Sequence, residues 1–476
     1  MSAARRIVLA VAFLFAGQAL AQDHLPAPVI QALARAEIPL ASVAVFAQQV
    51  DAAAPLIAFN TAQPMHPASV IKLITTYAGL ELLGPSYTWK TEVWLGGGLH
   101  DGVLDGDLIL KGYGEPRLTI EDLWIFLSDL RARGLREIRG NLVLDRSWFE
   151  PPPYDPAQFD GEPLRPYNVG PDALLVNFKA VRFLFVPEVE RSRVRIEPEP
   201  KFPQIEIVNR IRLTAGHCYG DWRAGLRRDV QSAGATTRVI FGGTMPASCG
   251  EQYWYMNLLP HAEYAGSLFR LLWKELGGTL TGSVRDGAVP PTARLFDTHE
   301  SPPASQIVRD INKLSLNAMA RQLFLTLSAE TLKLPGREDR SARVITSWLD
   351  AKGLQFPELA MENGAGLSRS EKISAGHLGD LLLAAWHSNV MPEFVASMPI
   401  VAHDGTMRDR LRFEPVAGNA HIKTGSLRGV RSAAGYVLDH AGRHYAVVFF
   451  INHDKADAGQ PAIDAFLNWV HERAAR

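Results

Sequence analysis

Pro67-Ala68-Ser69-Val70-Ile71-Lys72-Leu73-Ile74 sets a hydroxyl three residues ahead of an amine at the start of a long apolar run. Apolar side chains recur at Val70, Leu73, Ile74, Tyr77, Leu80 and Leu83, the spacing of one helix face, and Gly84-Pro85 ends the pattern. The spacing predicts a helix over 68–83 with Ser69 in its first turn. Residues three apart share a helix face, so the two side chains can meet. A lysine amine titrates near about 10.4 in water and becomes a base near neutrality only where burial and a second cation lower it. Alone, the pattern also fits a serine capping a helix whose lysine lies on the solvated face.

Lys423-Thr424-Gly425-Ser426 stands just ahead of two β-rich apolar runs, Ser432 to Leu438 and His444 to Phe450, which His440-Ala441-Gly442-Arg443 joins as a hairpin. The ammonium of Lys423 can attract a carboxylate, the hydroxyls of Thr424 and Ser426 can hydrogen-bond it, and Gly425 lets a peptide approach the backbone. The backbone N–H groups of Ser69 and Ser426 are then expected to form an oxyanion hole. Ser315-Leu316-Asn317 adds a hydroxyl able to relay a proton and an amide able to hold a substrate backbone. In isolation Ser315 reads more readily as the cap of the helix that carries Met319, Leu323 and Phe324.

Outward from these segments, Arg5 and Arg6, the apolar run Ile7 to Ala16 and Ala19-Leu20-Ala21 read as an export signal over 1–21. No later run reaches the roughly 18 apolar residues of a membrane span. Cys218 and Cys249 favour one disulfide, with two buried thiols as the alternative. Residues 41–47 and 56–59 suggest a hairpin. Residues 91–294, rich in short segments, Gly and Pro, suggest a largely β insertion of two nested domains, with helices at 120–133 and 263–276. The last third turns helical over 304–332 and 340–352, then ends in the hairpin and a helix over 461–473.

The 49 basic and 50 acidic residues nearly cancel, so composition points to no nucleic-acid partner. The histidines form no H-E-x-x-H pattern, and no Walker or dinucleotide loop occurs, so neither a metal nor a cofactor is expected. His403, beside Asp404, reads as a satisfied loop histidine.

The order Ser-x-x-Lys, Ser-x-Asn, Lys-Thr-Gly resembles that of the penicillin-recognising serine enzymes. The chain is similar above all to the low-molecular-mass class C penicillin-binding proteins, the D-alanyl-D-alanine carboxypeptidase/endopeptidase family. The likeness lies in Pro67 to Lys72, Gly106-Asp107-Leu108, Gly112-Tyr113-Gly114-Glu115-Pro116, Asn168 to Leu174, Asp404-Gly405-Thr406 and Lys423 to Leu427. A long insertion between Lys72 and Ser315 belongs to it too. This resemblance implies an α+β fold: a penicillin-binding transpeptidase-like catalytic domain, antiparallel sheet with flanking helices, made from residues 22–90 and 295–476 and interrupted by the insertion.

By the same resemblance Ser69 is the nucleophile, Lys72 its base, Ser315 a proton relay and Asn317 a substrate-amide ligand, with Lys423, Thr424 and Ser426 as the carboxylate site. The implied substrates are peptidoglycan stem peptides and cross-links, the implied covalent inhibitors are β-lactams, and the implied location is the periplasm. Leu316, Ala365 and Glu115 depart from the family's usual Asp or Asn, Ser, and Asp. Leu316 in particular lacks the polar contacts of the usual residue. A β-lactamase or esterase of the same superfamily, and a wall-binding protein without turnover, are the competing readings.

Overall fold

The computed structural model describes residues 24–234 and 236–473, so the expected export signal lies outside the described residues. Alternation along Val43–Gln49 shows how the central sheet is buried. Val43, Val45 and Ala47 enter one core with Val447, Phe449 and Ile451, while Ala44 and Phe46 enter another with Ala446, Val448 and Phe450. A strand covered on both faces reads as a continuous apolar run, which is the character of these segments.

The sheet is antiparallel and five-stranded, in the order Ile57–Phe59, Val43–Gln49, His444–Asn452, Val430–Leu438, Ala420–Leu427. Helices Ala27–Arg35 and Gln460–Glu472 cover one face through Val29, Leu33, Phe466 and Val470. Helices Lys72–Leu82, Ala304–Leu314, Asn317–Leu332 and Ala375–Trp386 fill the other. The α+β architecture with an antiparallel sheet and flanking helices is therefore the one the resemblance implied.

Three local readings change. The helix over 68–83 begins as a 3-10 turn, Ala68–Ile71, and becomes α-helical only over Lys72–Leu82, so Ser69 precedes the α-helix. Ala68 adopts a left-handed φ of 47°, which a regular helix cannot accommodate. The run 304–332 is two helices, broken where Ser315 takes a left-handed φ of 58° and Leu316 is extended. The apolar pattern continues across that break and hides it. Finally, Lys423 lies inside a strand, Ala420–Leu427, which pairs along its whole length with Val430–Leu438. A lysine and a glycine in its middle disguised it.

Strand Lys90–Leu95 pairs with Arg294–Glu300, Lys90 opposite Glu300, so the intervening segment leaves and rejoins the chain at neighbouring points. That segment holds further sheets, including Arg193–Glu199, Val181–Glu188, Gln252–Met256 in one and Ile205–Thr214, Thr236–Pro246, Leu226–Ala233 in another. Helix Ile120–Ala132 starts at a capping box between Thr119 and Asp122. Its Leu123, Phe126 and Leu130 share a core with Leu268 and Phe269 of helix His261–Glu275. Cys218 and Cys249 are joined as a disulfide, which settles the open pairing.

The bridge closes a separation of 31 residues. The denatured, unreduced protein is expected to show no free thiol, and Cys249→Ser is expected to lower unfolding stability by roughly 3 to 4 kcal/mol in the chain-entropy account, read by urea titration.

Candidate active site

Lys72 is fully buried at the start of its helix, among Leu73, Ile74 and Val70. Its Nζ meets three oxygens: Ser69 Oγ at 2.9 Å, Asn317 Oδ1 at 2.7 Å, and the Ala365 carbonyl. A lysine carries no acceptor when charged, so Asn317 must turn its oxygen to it and leave its NH2 free to donate. A neutral amine keeps two N–H bonds and one lone pair. With Asn317 and Ala365 taking the two N–H groups, the lone pair faces Ser69, whose O–H can then donate to it. Burial pushes Lys72 well below the usual lysine range, and the neighbouring Lys423 charge pushes it further.

Lys423 is buried as well, and burial lowers it to about 7. It donates to Ser315 Oγ at 2.7 Å and to the Thr424 carbonyl at 2.9 Å. The helix break explains how Ser315 arrives there: the left-handed residue ends one helix, Leu316 extends, and Asn317 opens the next, so Ser315 and Asn317 face the cleft together. Thr424 Oγ1 is held 2.8 Å from Thr406 Oγ1. Ser426 is exposed and its hydroxyl accepts from Arg431, whose guanidinium also pairs with Asp457 at 2.9 Å.

The outer edge of strand Ala420–Leu427 is open where it matters. Ile422 N–H leaves the sheet on that edge to reach the Pro399 carbonyl at 2.8 Å. Strand alternation puts the N–H groups of Thr424 and Ser426 on the same edge. Ser432 Oγ donates to the Pro67 carbonyl at 2.6 Å, fastening the turn that carries Ser69 beside this strand. The expected pair of N–H donors, Ser69 and Ser426, thus flanks one cleft.

All seven residues singled out from the sequence converge here: Ser69, Lys72, Ser315, Asn317, Lys423, Thr424 and Ser426. Others were missed. The loop 364–368 supplies a carbonyl, so Ala365 serves without a hydroxyl. Buried Glu371 accepts the backbone N–H groups of Glu362, Asn363 and Gly364 at 3.2, 3.1 and 3.2 Å and holds that loop. Desolvation raises the Glu371 pKa above the usual carboxylate range. Gly366 has φ 85°, and a Cβ there would collide with the Ala68 carbonyl and the Ser69 nitrogen. Lys313 and Asp404 pair at 2.6 Å beside Thr406. The glycines at 364 and 366 and the Asp404-Gly405-Thr406 run were the signals for these.

Residues of the insertion reach the site. Asn317 Nδ2 lies 3.5 Å from the Tyr167 carbonyl. A cavity of about 470 Å³ opens beside it, lined among others by Phe178, Tyr253, Tyr255, Leu316 and Ser315. Among the described residues, no cluster of His, Cys, Asp or Glu is grouped to hold a metal.

The family model described as the D-Ala-D-Ala carboxypeptidase 3 (S13) family matches residues 25–472. The chain is 25% identical over 407 residues to D-alanyl-D-alanine carboxypeptidase DacB of Haemophilus influenzae, covering 83% of this chain and 82% of that one. It is 27% identical over 385 residues to a D-alanyl-D-alanine carboxypeptidase of an Actinomadura species, covering 78% and 70%. The fold is similar to the crystal structure of penicillin binding protein 4 from Haemophilus influenzae, with a TM-score of 0.78 at 24% identity, covering 93% of this chain and 99% of that one.

Taking the neutral Lys72 amine as the base for Ser69, acylation is expected to fall as acid protonates it, and Lys72→Arg to lose about a thousandfold or more at every pH. Gly366→Ala is expected to slow acylation about a hundredfold while the protein still melts cooperatively. Rates of covalent adduct formation across pH, with calorimetry, check both.

Proposed function

The chain belongs to the D-Ala-D-Ala carboxypeptidase 3 (S13) family, and on that premise we propose that it cleaves the bond to a terminal D-alanine in peptidoglycan peptides through an ester on Ser69. The substrate carboxylate rests against Thr424, Ser426, Arg431 and Lys423, and its charge restores the ammonium form of Lys423. The scissile carbonyl oxygen lies between the N–H groups of Ser69 and Ser426. Asn317 Nδ2 donates to a carbonyl of the acyl side.

Ser69 Oγ attacks the carbonyl carbon as its proton passes to Lys72 Nζ. The carbonyl π electrons move onto oxygen, and the two N–H donors take the developing charge, a type of interaction worth about a hundred- to a thousandfold per donor. The intermediate collapses, the C–N bond breaks, and the amine of D-alanine leaves with the proton that Lys72 took from Ser69, relayed through Ser315 Oγ, so Lys72 is neutral again. Water then gives a proton to Lys72 as its oxygen adds to the ester carbonyl; the C–O bond to Ser69 breaks, Lys72 returns the proton to Ser69 Oγ, and the shortened peptide leaves as a carboxylic acid. A cross-link is cut by the same steps, with a peptide amine leaving in place of D-alanine. β-Lactams acylate Ser69 by ring opening, and the tethered amine stays in place.

The contact of Lys72 Nζ with Ser69 Oγ, made by a lysine that is fully buried in the free protein, supports this reading most. Residues 91–294 act as an inserted unit that walls the cleft and holds the rest of the substrate, in part through the cavity at Tyr253 and Tyr255. The enzyme works in the periplasm after loss of residues 1–21; among the described residues no helix is long and apolar enough to cross a membrane.

Intact-mass measurement after incubation with benzylpenicillin is expected to show one adduct on the wild type and none on Ser69→Ala, and release of D-alanine from a muropeptide pentapeptide to fall about ten-thousandfold or more in that variant. A wild type that stays unmodified and releases no D-alanine would overturn the proposal.

A further inference from the structure

His66 stands ahead of the nucleophile turn and takes no part in the chemistry above, yet both its backbone and its ring are engaged. Its backbone N–H donates to Asn452 Oδ1 at 2.7 Å, and its carbonyl accepts from Asn452 Nδ2 at 3.1 Å. These bonds tie it to the end of strand His444–Asn452. The ring bridges two further pieces. Nδ1 lies 2.9 Å from the Ala68 nitrogen and Nε2 lies 2.8 Å from the Ser368 carbonyl.

The partners settle the proton. An amide N–H only donates, so Nδ1 must present a lone pair; a carbonyl oxygen only accepts, so Nε2 must carry the hydrogen. One state satisfies both bonds, the neutral Nε2–H tautomer. What the ring connects makes this matter. Ala68 is the left-handed residue that aims Ser69, and Ser368 closes the loop whose Ala365 carbonyl holds Lys72 and whose Gly366 abuts Ala68.

We propose that His66 is a positioning residue: its neutral ring struts the turn that carries Ser69 against the loop that holds Lys72, and protonation of Nδ1 breaks the strut and slows acylation. This rests on the reading of Ser69 as the acylated residue. A protonated Nδ1 sets two donors face to face at the Ala68 nitrogen and releases the strained residue that the ring held.

The surroundings favour the neutral ring. Burial lowers the His66 pKa below the usual imidazole range, and Arg369 and Lys372, on the chain that follows Ser368, push it the same way. The carboxylates on that loop are otherwise occupied. Glu362 accepts from the Ser368 hydroxyl, and Glu371 accepts the loop's own N–H groups. On the nucleophile side the charged group is Lys72, a cation when protonated. Asn452, at the strand end, is neutral.

The test compares acylation rates by benzylpenicillin against pH for wild type, His66→Asn and His66→Gln, with the wild-type ring followed by NMR of 13C-labelled histidine. Asn keeps an acceptor near the Ala68 N–H and does not titrate. Gln reaches Ser368 but leaves the Ala68 N–H without its partner. In the wild type the acid limb is expected to steepen from one proton to two where the His66 resonance titrates, and the ring to be the Nε2–H tautomer above that pH. His66→Asn is expected to fall with a one-proton slope throughout and to stay within about threefold of wild type at pH 7.5; His66→Gln is expected to lose about tenfold or more at every pH, the cost of one hydrogen bond at a poised group.

A two-proton limb that persists in His66→Asn, a His66→Gln rate within twofold of wild type, or a His66 titration that coincides with no feature of the wild-type profile would each overturn the proposal. If either variant fails to fold, the wild-type titration still decides it. A wild type that forms no adduct at any pH would instead refute the Ser69 reading, so the two failures are distinct.

Discussion

An amine with no route to water must either shed its proton or find acceptors for all its hydrogens, and Lys72 is placed under that constraint by the helix it begins. Its side chain has no exposed surface, so the protein supplies three oxygens from three parts of the chain: position 69, position 317 and position 365. Burial turns an ordinarily charged side chain into a base, and the oxygens decide which direction its lone pair faces. The second buried lysine, Lys423, adds repulsion that favours the neutral form of the first. Two lysines in one apolar site are a burden on stability, one that the proposed roles of a base and of a cation for a carboxylate would offset.

The rest of the fold serves to hold those three oxygens still. The central sheet takes strand Val43–Gln49 from the start of the chain and sets it beside His444–Asn452 from its end, which brings residues 69 and 423 within reach. Among the described residues the edge strand takes no strand partner on its outer side around Thr424 and Ser426, which leaves backbone donors there for the substrate of the proposed reaction. The helix break at Ser315 stores its left-handed conformation where two side chains must face one cleft.

The three departures from the family pattern now have physical accounts. Ala365 meets Lys72 through its carbonyl while its methyl group is buried in the apolar core, so the contact needs no hydroxyl at this position. Leu316 extends between Ser315 and Asn317, lines the cavity beside them and packs in part against the apolar core, so its apolar character meets an apolar partner. Glu115 is almost fully buried in the insertion, accepts from Thr91 at 3.2 Å and lies 3.5 Å from His299, where the longer carboxylate fits a contact remote from the reaction.

Read by itself, the sequence pointed to the reaction class and singled out the seven side chains that the fold brings to one cleft. Ser-x-x-Lys, Ser-x-Asn and Lys-Thr-Gly are short patterns whose residue types point to a use, and the apolar runs around Val45 and Val448 read as hairpin strands. It also marked the insertion by composition and the disulfide by its two cysteines. Tertiary structure alone decided the rest. Ser69 lies in a tight turn ahead of its helix because Gly366 and the edge strand press on it; Ser315 breaks a helix that the apolar periodicity runs straight through; and the carbonyl of Ala365, the buried Glu371 and the ring of His66 act through backbone atoms and long-range contacts. Backbone carbonyls carry no sequence signature, and a contact between residues 300 positions apart leaves no periodicity to read, which is why these parts of the site emerge only when the chain is folded.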